Sequence, residues 1–128
     1  MLLQTQIEVS ALVLLSILLS AIVGVNRERI DHPAGLRTHI LVGMGSCAFT
    51  ILSIHAFPGG DPSRVASQII SGLGFLGAGA ILKQKGDIKG LTTAASLWAT
   101  ASIGMSVGTG AWLFGIITAV LMWFVLTL

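Results

Sequence analysis

The feature that most constrains this chain is an apolar stretch near its start, at residues 7–25, with no charged residue after Glu8. A helix of these 19 residues is about 28 Å long at 1.5 Å per residue, which is close to the thickness of the hydrocarbon layer of a bilayer. The first residues, "MLLQTQIE", lack the basic start of a cleaved signal peptide. The stretch therefore predicts a retained transmembrane helix.

The composition extends this prediction to the whole chain. Only 9% of the 128 residues are charged and 54% are hydrophobic, whereas soluble domains carry about 25% charged residues. The chain lacks the polar surface to cover itself in water, so a lipid bilayer is the expected surrounding. We predict a single all-α domain, a polytopic membrane bundle of about five transmembrane helices at residues 7–25, 38–57, 63–83, 91–107 and 110–128.

The positions of the basic residues predict the orientation of this bundle. Short positively charged loops stay on the cytoplasmic side of a membrane, which places the N-terminus outside and the C-terminus in the cytoplasm. Seven basic residues divided between separate connections do not form the basic stripe that follows a nucleic-acid backbone. No nucleic acid is therefore expected as a partner. Six of the seven basic residues lie in the first and third connections: Arg27, Arg29, Arg37, Lys83, Lys85 and Lys89.

The third apolar stretch contains "SGLGFLGAGAIL", with Gly72, Gly74, Gly77 and Gly79. The first three match the spacing of the dinucleotide-binding fingerprint, but that fingerprint needs a preceding strand and an acidic residue about 20 positions later. Here an apolar run precedes the glycines, and the nearby acid is Asp87 in a lysine-rich loop. We favour packing, because small residues let membrane helices approach closely. Local unwinding that lines an ion or substrate path remains the alternative.

Small residues also recur on other stretches at the three- and four-residue spacing of one helix face. This recurrence predicts a tight bundle, or a tight homo-oligomer, around the third helix. The residues are Ser16, Ser20 and Gly24 in the first stretch, Ser67, Ser71, Gly74 and Ala78 in the third, and Ala95, Ala99 and Ser102 in the fourth.

Asp61, Arg64 and Gln68 open the third stretch and are candidate functional residues. Arg64 and Gln68 are one helical turn apart and share a face, where they could form a vestibule for protons or ions. We favour the simpler interpretation, in which Asp61 caps its helix while Arg64 extends to the membrane surface and pairs with an acid.

The first connection, "NRERIDHPAGLRTH", is dense in charge. Arg27, Glu28, Arg37 and His39 are candidates for a cytoplasmic docking surface that takes an anionic ligand or a partner. Orientation and contact with lipid headgroups are the alternative role.

Enzyme, metal and cofactor functions find no supporting pattern. There is no paired catalytic motif and no cysteine and histidine cluster at zinc spacing, and Cys47 fits a small buried hydrophobe. The helix interiors past their first turn carry no carboxylate, which makes a dedicated Mg²⁺ path hard to build. We expect no enzyme, no cofactor and no resident metal.

Three long motifs resemble the MgtC/SapB family of bacterial inner-membrane proteins: "PAGLRTHILVGMGS" at 33–46, "DPSRVASQIISGLGFLGAGAIL" at 61–82 and "IKGLTTAASLWATASIGM" at 88–105. The resemblance implies a five-helix membrane domain with a cytoplasmic C-terminus. It also implies a link to growth at low magnesium and to survival inside macrophages. Regulation of other membrane proteins, including the ATP synthase, is implied rather than transport. The family carries no assigned catalytic residue.

Two differences limit what the resemblance implies. Virulence-type members have a cytoplasmic C-terminal domain, whereas this chain ends at Leu128 after its last helix, and Asn26 stands where relatives often have an acid. We expect a small inner-membrane protein that regulates or partners other membrane proteins, or forms a homo-oligomer, in magnesium or ion homeostasis. Transport of Mg²⁺, another cation or a small solute is the alternative.

Overall fold

The computed structural model describes residues 1–29, 32–84 and 86–128 and places five helices in them, which confirms the all-α fold class. Asp31 and Lys85, which belong to the charged connections, lie outside the described residues. A two-stranded antiparallel hairpin joins the third and fourth helices. The elements are α1 (Leu3–Arg29), α2 (Leu36–His55), α3 (Arg64–Ala80), β1 (Leu82–Gln84), β2 (Asp87–Lys89), α4 (Leu91–Gly108) and α5 (Trp112–Leu126).

Short connections make successive helices antiparallel, so the bundle has two distinct ends. The α1–α2 and α3–α4 connections lie at one end, together with the end of α5; we call it the basic end because Arg29, Arg37 and Lys89 are there. The chain start, the α2–α3 connection and the α4–α5 turn lie at the opposite end. A surface cavity there is lined by both Met1 and His55.

By length and hydropathy, α1 and α2 can cross a membrane, and α5 is an apolar helix of 15 residues. The third helix ends at Ala80 rather than at residue 83, because the chain enters the hairpin at Leu82. Glycine makes the hairpin turn possible, since Gly86 has a φ of 84°.

The centre of the bundle is α4, which contacts each of the four other helices. Leu97 of α4 packs in a cluster with Val42 of α2 and Leu73 of α3. Ile103 and Val107 of α4 pack in a second cluster with residues of α1 and α5. Within one chain, the tightest packing is therefore around α4 and not around the glycine-dense third helix.

Three helices approach each other at their smallest residues. A Cβ at Gly24 of α1 would lie 2.9 Å from the Cα of Leu36 in α2, and a Cβ at Gly43 of α2 would overlap the side chain of Ser20 in α1. A Cβ at Gly104 of α4 would likewise overlap the carbonyl oxygen of Gly43 in α2. These contacts bring the α1, α2 and α4 backbones together, which is the geometry that small residues permit.

The small-residue face predicted for α1 is confirmed, because Ser16, Ser20 and Gly24 are all buried. The face predicted for α4 does not pack within one chain, because Ala95 and Ser102 are exposed. The buried face is rotated by one residue, and the reason is that Gly104 and Gly108 permit a closer backbone approach than alanine does. Its four-residue series is Ser96, Thr100, Gly104 and Gly108.

Candidate functional site

Arg27 lies inside the bundle at the basic end, although its charge suggested an exposed docking residue. Only 2% of its surface is exposed. Its Nη2 donates a hydrogen bond to Thr93 Oγ1 of α4 at 3.2 Å, and its Nε is buried without a partner. The guanidinium is therefore held at one edge and unsatisfied at the other.

His39 of α2 is fully buried beside this contact and joins α2 to α4. Its Nδ1 lies 2.8 Å from the Gly35 carbonyl oxygen, and its Nε2 lies 2.8 Å from Ser96 Oγ. A carbonyl oxygen only accepts, so Nδ1 carries a proton. When the ring is neutral, the Ser96 hydroxyl must donate to Nε2. When both nitrogens are protonated, Nε2 donates to Ser96, whose hydroxyl is free to donate to the Thr93 carbonyl at 2.8 Å.

These residues form one hydrogen-bonded group, which we call the polar cluster: Arg27, His39, Thr93, Ser96 and Thr100. Thr100 joins it by donating to the Ser96 carbonyl at 2.6 Å. No member is more than 3% exposed. The cluster links α1, α2 and α4 at the basic end, and charged or polar side chains buried this deeply in a membrane protein are candidates for functional positions.

Glu28 and Arg37 take different positions from Arg27 and His39. The exposed Glu28 carboxylate accepts the backbone N–H of Leu36, the first residue of α2, at 2.8 Å, and a negative charge at a helix N-terminus is stabilising. Arg37 is exposed one residue later. The structure therefore does not bring the four predicted docking residues into one exposed surface, because two lie inside the bundle.

At the opposite end, Asp61 closes the turn that precedes α3. Its Oδ1 accepts the backbone N–H of Ser63 at 2.8 Å and the Ser63 hydroxyl at 2.7 Å. These hydrogen bonds, with the nearby charge of Arg64, hold the pKa of Asp61 below its ordinary value. Asp61, Arg64 and Gln68 are all exposed, so they surround the start of α3 without forming an enclosed vestibule.

A groove runs between α2 and α3 on the outside of the bundle. It has a volume of about 350 Å³, and its lining is almost entirely apolar. Gly45 and Phe49 contribute from α2, and Gln68, Gly72 and Leu76 contribute from α3. Gln68 and Ser46 are the polar residues among the described residues that line this mainly apolar groove.

The four glycines singled out in α3 divide into one inward and three outward positions. A Cβ at Gly77 would lie 3.6 Å from the Cβ of Ala94 in α4. At Gly72, Gly74 and Gly79, no neighbouring atom among the described residues lies within 4 Å of such a Cβ. Most of the glycine-dense surface of α3 is therefore uncovered in a single chain.

Sequence reasoning missed Thr93, Ser96 and Thr100, which supply the α4 side of the polar cluster. The available signal was the spacing of three hydroxyl residues at three and four positions in an apolar helix. No group of three or more potential metal ligands is found in the described part of the chain.

The polar cluster and the groove between α2 and α3 both lie in a part of the chain that matches a known sequence family. The pattern of the MgtC family matches residues 13–128. The chain belongs to the MgtC family. Within this membrane-protein family, it is 47% identical over 107 residues to YhiD of Escherichia coli strain K12, which is named as a candidate magnesium transporter. That alignment covers 77% of this chain and 50% of YhiD.

Two further relatives of this MgtC family chain show the same partial coverage. Protein MgtC of Salmonella typhimurium strain LT2 is 44% identical over 97 residues, covering 76% of this chain and 42% of that protein. An uncharacterised protein of Haemophilus influenzae is 44% identical over 107 residues, covering 76% and 45%. The chain thus spans about half the length of the curated relatives it matches. No solved structure matches it.

Proposed function

We propose that this protein is a multi-pass protein of the bacterial inner membrane that regulates or partners other membrane proteins in magnesium or ion homeostasis. The family membership supports a membrane role, and the name of the relative YhiD supports the link to magnesium. The apolar helices α1 and α2 support insertion in a bilayer. We place the basic end in the cytoplasm, following the distribution of Arg and Lys, and we assign no catalysis to the chain.

The observation that carries this proposal is the uncovered small-residue surface of α3. Ser67, Ser71, Gly74 and Ala78 are all exposed on that helix, and a membrane helix with a small face permits close approach by another helix. The adjacent groove supplies an apolar wall and the amide of Gln68. We infer that a transmembrane helix of a partner protein packs against this α3 surface.

Substitution of Gly74 by leucine tests this contact. Because no described neighbour lies within 4 Å of a Cβ at Gly74, leucine should leave the chain folded while blocking the approach of a second helix. With a photoreactive residue at position 71, we expect crosslinking to the partner in intact cells to fall about tenfold, which corresponds to 1.4 kcal/mol of lost helix contact.

The matched control is Ala95→Leu, which enlarges an exposed small residue on α4 instead of α3. It should leave the crosslinks from position 71 unchanged, and both variants should migrate as the parent protein does in detergent. Equal crosslinking by the parent and the Gly74→Leu variant would remove the basis of the proposal. Crosslinks only to a second copy of this chain would replace the partner by a homo-oligomer.

Transport is the second candidate function, and a set of buried hydroxyl groups favours it. Ser16, Ser20, Ser46 and Thr50 lie between the helices at no more than 3% exposure, and the hydroxyls of Ser20 and Thr50 are buried without a partner. Polar groups inside a membrane bundle commonly mark ion or substrate pathways.

Flux measurements in proteoliposomes separate the two functions. A regulator should give no flux of Mg²⁺, K⁺ or H⁺ above that of empty vesicles. Protein-dependent flux that falls in both Thr50→Val and Asp61→Asn would instead establish a path that runs from the opposite end past the buried hydroxyl groups. Ser102→Ala, which changes an exposed hydroxyl on α4, is the control that should keep any flux unchanged.

A further inference from the structure

The buried guanidinium of Arg27 has one described hydrogen bond, to Thr93, and its Nε has none. Removing a cation from water costs several kcal/mol unless an anion and further hydrogen bonds compensate for the lost hydration. The arrangement therefore has the character of half of a binding site.

Arg27 lines a cavity of about 480 Å³ at the basic end, between the end of α1 and the start of α4. We call it the Arg27 cavity. Its other polar walls come from His32 after α1, from Lys89 in β2 and from Thr92 and Thr93 in α4. Among the described residues that line it there is no aspartate or glutamate. Two cationic side chains thus face one cavity without an acidic residue in its described wall.

The N-terminus of α4 adds a third source of positive potential to this cavity. Gly90 precedes the helix in the left-handed conformation, with a φ of 93°, and no side chain caps the helix. The first N–H groups of an α-helix have no partner within the helix. Together with the helix dipole, they favour a bound anion. Leu91, Thr92 and Thr93, whose N–H groups come first, all line the cavity.

We propose that the Arg27 cavity binds a phosphate group. A guanidinium presents parallel N–H donors that match two oxygens of a phosphate. Backbone N–H groups and the threonine hydroxyls can donate to the remaining oxygens, and Lys89 supplies a second charge at the cavity wall. The group comes either from free inorganic phosphate or from the headgroup of an anionic phospholipid, because the cavity lies at the end of the bundle where headgroups would be. This inference does not depend on the partner proposed for α3.

Titration of the full chain with inorganic phosphate tests the free source. The protein is held in maltoside micelles, which contain no phosphate, and binding is followed by calorimetry at constant ionic strength with chloride as the competing anion. We expect saturable binding that Lys89→Gln weakens several-fold. Arg37→Gln removes an exposed charge at the same end that does not line the cavity and should leave affinity unchanged. Arg27→Gln removes the guanidinium and its parallel N–H donors. It should weaken binding about tenfold or more, as expected for the loss of charge-assisted hydrogen bonds.

Nanodiscs test the lipid source with phosphatidylglycerol as the probe in a phosphatidylcholine background. Phosphatidylglycerol that stays bound to the protein when it is transferred from these discs into maltoside and purified would assign the phosphate to a lipid. Its amount should be reduced by Lys89→Gln and unaffected by Arg37→Gln. Since Lys89 is exposed in the hairpin, its substitution leaves the core intact and keeps the test valid even if Arg27→Gln does not fold.

Two results would overturn the proposal. One is the absence of binding in both arms. The other is equal weakening by Lys89→Gln and Arg37→Gln, which would show attraction to the basic end as a whole without a defined cavity site.

Discussion

Gly104→Ala is expected to lower the free energy of unfolding by about 2–3 kcal/mol, the upper part of the range of about 1–3 kcal/mol for overpacking of a filled interior. The added methyl group would overlap the Gly43 carbonyl oxygen and lie 2.9 Å from the Cβ of Ser46 and 3.0 Å from the backbone nitrogen of Cys47. Two of these atoms belong to the α2 backbone and cannot rotate away. The methyl group therefore has to push α2 and α4 apart.

Gly74→Ala makes the same chemical change at a position with no described neighbour within 4 Å. It should leave stability unchanged or raise it slightly, because alanine is the better helix former by about 1 kcal/mol in water. Both variants can be unfolded in mixed micelles with increasing denaturing detergent and followed by tryptophan fluorescence. Similar midpoints for the two variants would contradict the close contact between α2 and α4.

Ser96→Ala is expected to cost about 2 kcal/mol, because it removes the partner of a fully buried imidazole and a buried polar atom without a hydrogen bond costs about 1–3 kcal/mol. His39 would keep only its contact with the Gly35 carbonyl. When both imidazole nitrogens are protonated, the Thr93 carbonyl also loses the hydrogen bond from the Ser96 hydroxyl. The loss should appear in the same unfolding measurement.

Ser102→Ala is the control for this change, since both serines lie on α4 and both bond to a carbonyl of their own helix. Ser102 is exposed and contacts no imidazole, so its replacement should change stability by no more than about 0.5 kcal/mol. Addition of His39→Leu to Ser96→Ala should then cost less than the sum of the two single changes, because the two residues share one hydrogen bond. Additive costs would show that the two side chains are not coupled.

The general architecture could be predicted from the sequence because it depends on composition and on apolar periodicity. The low charge and the long run at residues 7–25 indicated a membrane bundle, and the small face of α1 was identified correctly. The hairpin between α3 and α4 was not predicted. Its strands are three residues each, and a polar segment of that length has too little alternation to be distinguished from a loop.

The packing partners of α3 and α4 could not be ranked from small residues alone. In a helix that is apolar all round, several faces carry glycine, alanine or serine, and the sequence does not show which face meets another helix. Gly104 packs against α2, while Gly74 meets no described neighbour, although both were available as contact positions. The deciding information is the three-dimensional position of each helix.

The polar cluster could have been predicted by continuing the buried faces of α1 and α2 beyond the ends of their apolar stretches. Arg27 follows Gly24 by three residues, so it continues the buried face of α1. His39 precedes Gly43 by four residues on the buried face of α2. Treating charge as a sign of a solvated loop concealed this continuity, because a helix can extend beyond its apolar segment while one of its faces remains enclosed.

The position of α4 has a mechanical consequence for the whole bundle. Because α4 contacts all four other helices, it cannot shift or rotate without displacing them. Motion of α4 would therefore involve the five helices together. Its first turn borders the Arg27 cavity, and its flank supports α3. An occupant of the Arg27 cavity would therefore restrain the helix on which α3 packs.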